Sequence, residues 1–375
     1  MTFDALLVFI SGGGFLVGLF AAALLLGSPR GDRTANRFLA TLMVVSAFNI
    51  LHPMLALLGP HAFVRATYLA EPAQFLMAPL IATYVSQLMS HGHRFRPAFL
   101  LHLLPFAAVI VFALSPLPGI LNRGTDFPVS TVALWVLLLA QVFEYVIPAF
   151  RKLARYRAAL LQQVSNTAGI DLGWVRWLMH VIYGLYGSYG IVLIFVIHRV
   201  DSLHVRAFLS AALCAYICAL AYRGLLQKET PRLEAAGDGD ASPEGAKYQR
   251  GAVPPDEARE LRRRLEQAMD SEKLYLDPDL DLSALAARVG AARNQISYVI
   301  NQSFGRNFYD FVNGYRVREV LRLMEDGSRA DDKMLTLAFD AGFNSKPTFN
   351  AVFKKITGRT PSDYRLKNRK VPVTS

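Results

Sequence analysis

The sequence predicts an all-α chain in two unlike parts, a seven-helix transmembrane bundle followed by a small helical domain that uses a helix-turn-helix plan twice. Three observations predict it. The 375 residues are 53% hydrophobic, more than two soluble domains of that length normally carry. The apolar density is lopsided, with every long uncharged run lying before about residue 225. Helical periodicity then returns only at Asp256, after a stretch rich in Gly, Pro, Ala, Glu and Asp.

About 20 apolar residues cross a bilayer as a helix. Runs of that kind occupy 5–26, 38–58, 64–88, 98–117, 129–150, 177–197 and 205–222, the fourth bracketed by Pro97 and Pro116. The first run has no basic residue ahead of it and carries Arg30, Arg33 and Arg37 behind it. It reads as an uncleaved anchor with its N-terminus outside, not as a secretory signal. Orientation follows from the basic residues, which gather in cytoplasmic loops. Loops one, three and five carry Arg30, Arg33, Arg37, Arg94, Arg96, Arg151, Lys152, Arg155 and Arg157, whereas the alternate loops carry Arg65, Arg123, Arg199 and Arg206. Nine against four places the odd loops in the cytoplasm, and an odd number of spans delivers the C-terminus to that same side of a bacterial inner membrane.

Ionisable and strongly polar residues inside spans are costly, which makes them candidates for function. Asn49, His52 and Glu71 fall at similar depth toward the outer side, where a ligand could reach them. Gln141, Glu144 and His180 fall near the inner side, where they could relay a change. The same groups could equally pair between helices and hold the bundle together. Gly14 with Gly18, and Gly184, Gly187 and Gly190, are expected to let helices approach closely. Cys214 and Cys218, the only cysteines, sit four apart in an apolar run and read as small buried hydrophobes. No metal site, disulfide framework or cofactor follows from them.

The first 226 residues therefore form one domain, and 227–255 reads as a flexible linker. From Asp256, Leu261, Leu265 and Met269 recur four apart, and the chain to residue 366 reads as one compact helical domain with 367–375 as a basic tail. Within it, LSALAARV (282–289) buries Leu282, Leu285, Ala286 and Val289 on one face and ends at Gly290. RNQISYVINQ (293–302) follows, turning Ile296, Val299 and Ile300 to the core and leaving Arg293, Asn294, Gln295, Ser297, Tyr298 and Asn301 on other faces. The plan repeats at 334–341, with Gly342 at the turn, Ser345 as N-cap and a second helix from Lys346 to about Ile356. That helix buries Phe349, Val352 and Phe353 and keeps Lys346, Thr348 and Asn350 outward. Helix, tight turn, helix is the arrangement that places a helix in the DNA major groove. The segment 308–324 between the two units spans roughly 25 Å as a helix and can hold two readers apart.

On these residues the domain resembles the DNA-binding domain of the AraC family of bacterial regulators. The resemblance rests on Leu285, Ala286, Gly290, Ile296, Ser297, Gly305, Phe308, Tyr315 and Arg316, then Ala338, the run Gly342 to Ser345, Phe349, Phe353, Gly358, Thr360, Pro361, Tyr364 and Arg365. It covers 256–366. The layout of the full chain is similar to a membrane-bound branch of that family, on the span count, the stretch 79–84 and the run Leu103 to Phe106. The resemblance implies base contacts from Asn294, Ser297 and Tyr298 in the first reading helix and from Lys346 and Asn350 in the second. Pro347 and Ala351 hold matching positions but cannot hydrogen-bond a base edge, and Ala292 stands where the family often has a capping Ser or Thr. Arg293, Arg306, Arg359 and Arg365 fit phosphate contacts better.

The expectation is a membrane-embedded one-component regulator that binds double-stranded DNA and responds to a small-molecule or membrane-borne signal sensed in the bundle. Its other partners would be the bilayer, RNA polymerase and a second copy of the chain. One competing reading makes the bundle a transporter or intramembrane enzyme reporting its own occupancy; another makes it a passive tether from which the domain is cut. The sequence carries no HExxH, no nucleophile with a paired base and no phosphate-binding glycine loop, so no enzyme is expected.

Overall fold

A computed structural model describes residues 3–29, 32–55, 60–89, 101–117, 120, 129–167, 170, 172–197, 203–227, 253–329 and 331–369. Among them the chain is helical throughout, with one isolated β-bridge and no strand. It divides into two compact units, and the division does not follow chain order. The first unit takes 1–155 and 172–232, and the second joins Tyr156–Asp171 to the C-terminal region from Leu233.

The first unit holds α1 (Phe3–Gly27), α2 (Arg33–Leu55), α3 (Pro60–Met89), α4 (Leu104–Leu114), most of α5 (Val129–Leu161), α6 (Gly173–Ile197) and α7 (Leu203–Leu226). Each expected span overlaps one of these helices. Four stretches among the described residues are long and apolar enough to cross a membrane, namely Ala5–Gly27, Arg33–Leu51, Val132–Leu161 and Phe208–Leu226. Leu101–Phe112 is a shorter apolar helix, well under the expected 98–117. Conversely, α5 runs on past residue 150 to Leu161, its last turns carrying Arg151, Lys152, Arg155 and Arg157.

α1 packs against α2 and α7, and α2 also against α3 and α7. Small residues share these contacts with leucines. The buried stripe of α1 is Leu7, Ser11, Ala21, Ala22 and Leu25, while Phe9, Leu16 and Phe20 point outward and stay exposed. A Cβ on Gly18 would stand 2.8 Å from that of Ala47, and one on Gly14 would stand 3.0 Å from the Cys214 sulfur, so both glycines mark close helix approaches as expected. The expectation finds no support at Gly184 and Gly187, where a side chain would meet nothing within 4 Å among the described residues; the side-chain position at Gly190 lies outside them.

The second unit contains α8 (Pro255–Asp270), α9 (Leu282–Val289), α10 (Arg293–Phe304), α11 (Phe308–Glu325), α12 (Met334–Asp340), α13 (Lys346–Thr357) and α14 (Pro361–Arg369). α14 extends beyond residue 366, so the expected tail begins inside a helix. Most of the expected linker, 228–252, and the end of the tail lie outside the described residues. Two apolar clusters build this unit. α8, α9, α10 and the first half of α11 enclose Leu265, Met269, Leu285, Ile296, Val299, Ile300, Phe308 and Phe311. The second half of α11 with α12 and α13 encloses Val317, Val320, Ala338, Phe349, Val352 and Phe353. Each large apolar side chain so buried contributes about 1.5–3 kcal/mol. α11 is common to both clusters, and its 18 residues give a rod about 27 Å long.

Candidate nucleic-acid interface

The first helix-turn-helix is α9, a turn, and α10. Asp281 caps α9 by accepting the Ala284 amide at 2.7 Å, and Gly290, at φ 74°, ends it in the left-handed conformation that a glycine adopts without strain. α10 starts less well, because Ala292 has no side-chain oxygen to offer. Gln295 supplies the other half of a capping box, its Oε1 accepting the Ala292 amide at 3.0 Å. Ile296, Val299 and Ile300 are buried as expected, Asn294 is exposed, and Ser297 and Tyr298 are half-buried.

The second unit is α12, a turn at Gly342, and α13. Ser345 caps α13 by accepting the Thr348 amide, and Pro347 falls in the first turn, where its missing N–H costs little. Phe349, Val352 and Phe353 face the core, and Lys346 and Asn350 are exposed. Lys355 is committed elsewhere, pairing with the Asp310 carboxylate at 2.7 Å.

The four arginines proposed for phosphate are placed differently from one another. Arg306 and Arg359 are exposed. Arg365 is half-buried and donates to the Asp332 carbonyl, which makes it part of the domain's own framework. Arg293, at the first position of α10, donates to Gln163 at 3.2 Å.

That last contact belongs to a group that sequence reasoning missed. Residues 162–166, the first part of the connection from α5 to α6, lie against the C-terminal residues of their own unit. Val164 bridges Asp281 in antiparallel fashion, and the Gln163 carbonyl accepts the Leu282 amide at 2.9 Å, an N–H that α9 cannot satisfy itself. Gln162 accepts from the Asn301 amide at 3.3 Å. Ser165 is 1% exposed, and its hydroxyl donates to the Leu280 carbonyl at 2.5 Å.

Beneath Ser165 lies Arg316 of α11, itself 1% exposed. Its Nε donates to the Tyr275 carbonyl at 2.8 Å, Nη2 to the Asp277 carbonyl at 2.7 Å, and Nη1 to Asn313 Oδ1 at 3.3 Å. The two remaining N–H groups go to Ser165, one to its carbonyl at 3.3 Å and one to its hydroxyl at 3.1 Å. Burial pulls the guanidinium down to about 10, still charged at neutral pH. The neighbouring Asn313 gives one amide hydrogen to the Ser165 carbonyl at 2.9 Å and one to Tyr309. One signal for this was available in the sequence. Arg316 falls on the stripe of Val312, Val320 and Leu323, and a charge there demands a built set of acceptors.

In the first unit, Asn49 is buried and donates to the Val45 carbonyl of its own helix at 3.0 Å. The His52 and Glu71 side chains lie outside the described residues. Glu144 and His180 are both exposed, His180 with its ring nitrogen at the Arg176 carbonyl. Gln141 reaches another helix, donating to the Phe75 carbonyl at 3.1 Å. Tyr145, next to Glu144, hydrogen-bonds the His102 ring, a pair that the sequence did not single out.

Residues 285–367 match the family model described as a helix-turn-helix domain. Over 102 residues the chain is 32% identical to an uncharacterised HTH-type transcriptional regulator of Staphylococcus aureus strain COL, covering 27% of this chain and 13% of that one. A second such regulator of S. aureus is 33% identical over the same length and shares of each chain. The chain thus spans about an eighth of the length of the curated relatives it matches, at 13%. No solved structure matches it.

Proposed function

We propose that the chain is a membrane-embedded, one-component transcription regulator in which an apolar bundle senses a signal and an AraC-type domain reads duplex DNA through α10 and α13. The observation that carries the reading is the pairing of two helix-turn-helix units on the shared rod α11, with Asn294 on the first reading helix and Lys346 and Asn350 on the second left exposed. Asn amides match adenine edges and a Lys ammonium matches guanine, while Arg293, Arg306 and Arg359 suit phosphates. Readers entering successive major grooves would sit near one helical turn apart, about 34 Å.

Support for the membrane half comes from its surface. Phe9, Leu16, Phe20, Val111, Val136, Phe143 and Phe208 are all more than 60% exposed, an apolar exterior that water disfavours and lipid does not. Residues 156–171 and the C-terminal domain form one compact unit, which supports placing both on one side of the bilayer. The basic end of α5 supports the cytoplasm as that side, where DNA is. On this reading the partners are DNA, the bilayer, RNA polymerase, a second copy of the chain and a small-molecule or membrane-borne signal.

The test is selection of a duplex from a random-sequence pool by the full-length protein, followed by Asn294→Ala and Lys346→Ala. Each substitution should cost about 1–3 kcal/mol on the selected duplex and much less on random DNA. Equal losses on both would reduce these residues to backbone contacts, and failure to enrich any sequence would overturn the reading.

A further inference from the structure

The segment 162–166 and the surface it covers carry an inference beyond DNA reading, though one that rests on that reading. Arg293, Ser297 and Asn301 are spaced four apart and form one stripe of α10. Gln163 engages the first of them and Gln162 the last, and all three are half-buried. The N-terminal part of a reading helix is the part that enters the groove, and Arg293, assigned above to a phosphate, is the first residue of α10. A segment holding that stripe and a DNA groove receiving it would occupy the same space.

The seat beneath the segment is built, not incidental. A guanidinium directs two of its five N–H groups into Ser165, and a buried amide directs a third donor to the same residue. An α9 amide that its own helix cannot bond finds the Gln163 carbonyl. Withdrawal of the segment leaves these donors to water at a newly opened surface, so the cost of undocking is bounded and the two states can exchange.

The segment is also continuous with α5 and α6, both of which carry long apolar stretches. Few residues separate them, whereas the much longer stretch 228–252 lies between α7 and the C-terminal helices. We infer that residues 162–166 act as an intramolecular plug on the first reading helix: docked, they hold the Arg293, Ser297 and Asn301 stripe from DNA, and displacement of α5 against α6 withdraws them.

A lock tests this in the full-length chain in membrane vesicles. Val164 and Asp281 face each other across the antiparallel bridge, a spacing that suits a disulfide, and neither is a reading residue. Val164→Cys with Asp281→Cys, in a chain whose Cys214 and Cys218 are alanine, should crosslink on oxidation without DNA. The oxidised protein should then bind the duplex enriched by its own reduced form at least about tenfold more weakly, because the competent fraction is removed. Ser165→Tyr, too large for the seat, should raise the affinity of the parent chain severalfold. Failure of the crosslink to form, or equal affinity of oxidised and reduced protein, would overturn the plug. Crosslinking with no duplex bound by any variant would instead overturn the DNA-reading assignment, and the competition with it, while leaving the docked segment in place.

Discussion

Gly342 sits at φ 90°, and a Cβ there would stand 2.3 Å from the Tyr275 carbonyl oxygen, far inside contact distance. The sequence marks this residue as a turn between α12 and α13, but the reason it must be glycine lies in a residue 67 positions earlier in the chain. Gly342→Ala should therefore destabilise the domain by at least about 2 kcal/mol, read as faster hydrogen exchange at the α12 and α13 amides. Glu319 is a second residue whose surroundings were illegible. It is nearly buried, accepts from Arg322 at 2.8 Å and Tyr275 at 3.2 Å, and lies 3.7 Å from Lys273. The Arg322 hydrogen bond foremost holds its carboxyl below the usual 4.5. The unfolded chain then takes up the proton before the folded one does. Its contribution to stability is complete above about pH 4.5 and is lost as pH falls through the lowered folded value. Glu319→Gln should unfold more easily than the parent at neutral pH, and the difference should shrink on acidification. An equal difference at both pH values would remove the carboxylate from this role.

At the scale of elements, the apolar spacing of the C-terminal domain was enough to locate both reading helices, because burial at three and four residue intervals is a local property of sequence. Ile296, Val299 and Ile300, then Phe349, Val352 and Phe353, are buried where that spacing puts them. The docked segment was not legible, since its hydrogen bonds join residues more than a hundred positions apart and its own sequence, Gln-Gln-Val-Ser-Asn, has no periodicity to read. Gly184 and Gly187 have no close neighbour among the described residues, because regular spacing of small residues permits close packing without supplying a partner. The bare start of α10 offers a direct check. Ala292 is exposed, with the extended backbone of an N-cap, so Ala292→Ser should stabilise α10 by about 1 kcal/mol. Slower hydrogen exchange confined to the first turns of α10 would agree; no change would mean that Gln295 already satisfies the helix start.

For the whole molecule, composition separated an apolar half from a helix-turn-helix half, and the helices fall where the apolar runs predict. Span lengths were harder to read, because hydropathy says where a helix is apolar and not where it ends. α5 continues past its apolar run into basic residues, and α4 is shorter than its run. Regulation as proposed needs both halves acting together, with a sequence-specific reader held on the cytoplasmic face of a lipid-embedded bundle. The most direct measurement is retention of the selected duplex, against excess random DNA, by sealed vesicles of known sidedness that carry the full-length protein. Inside-out vesicles should retain it, and right-side-out vesicles should do so only after permeabilisation. Retention by intact right-side-out vesicles, or retention that random DNA abolishes equally well in both, would contradict the account.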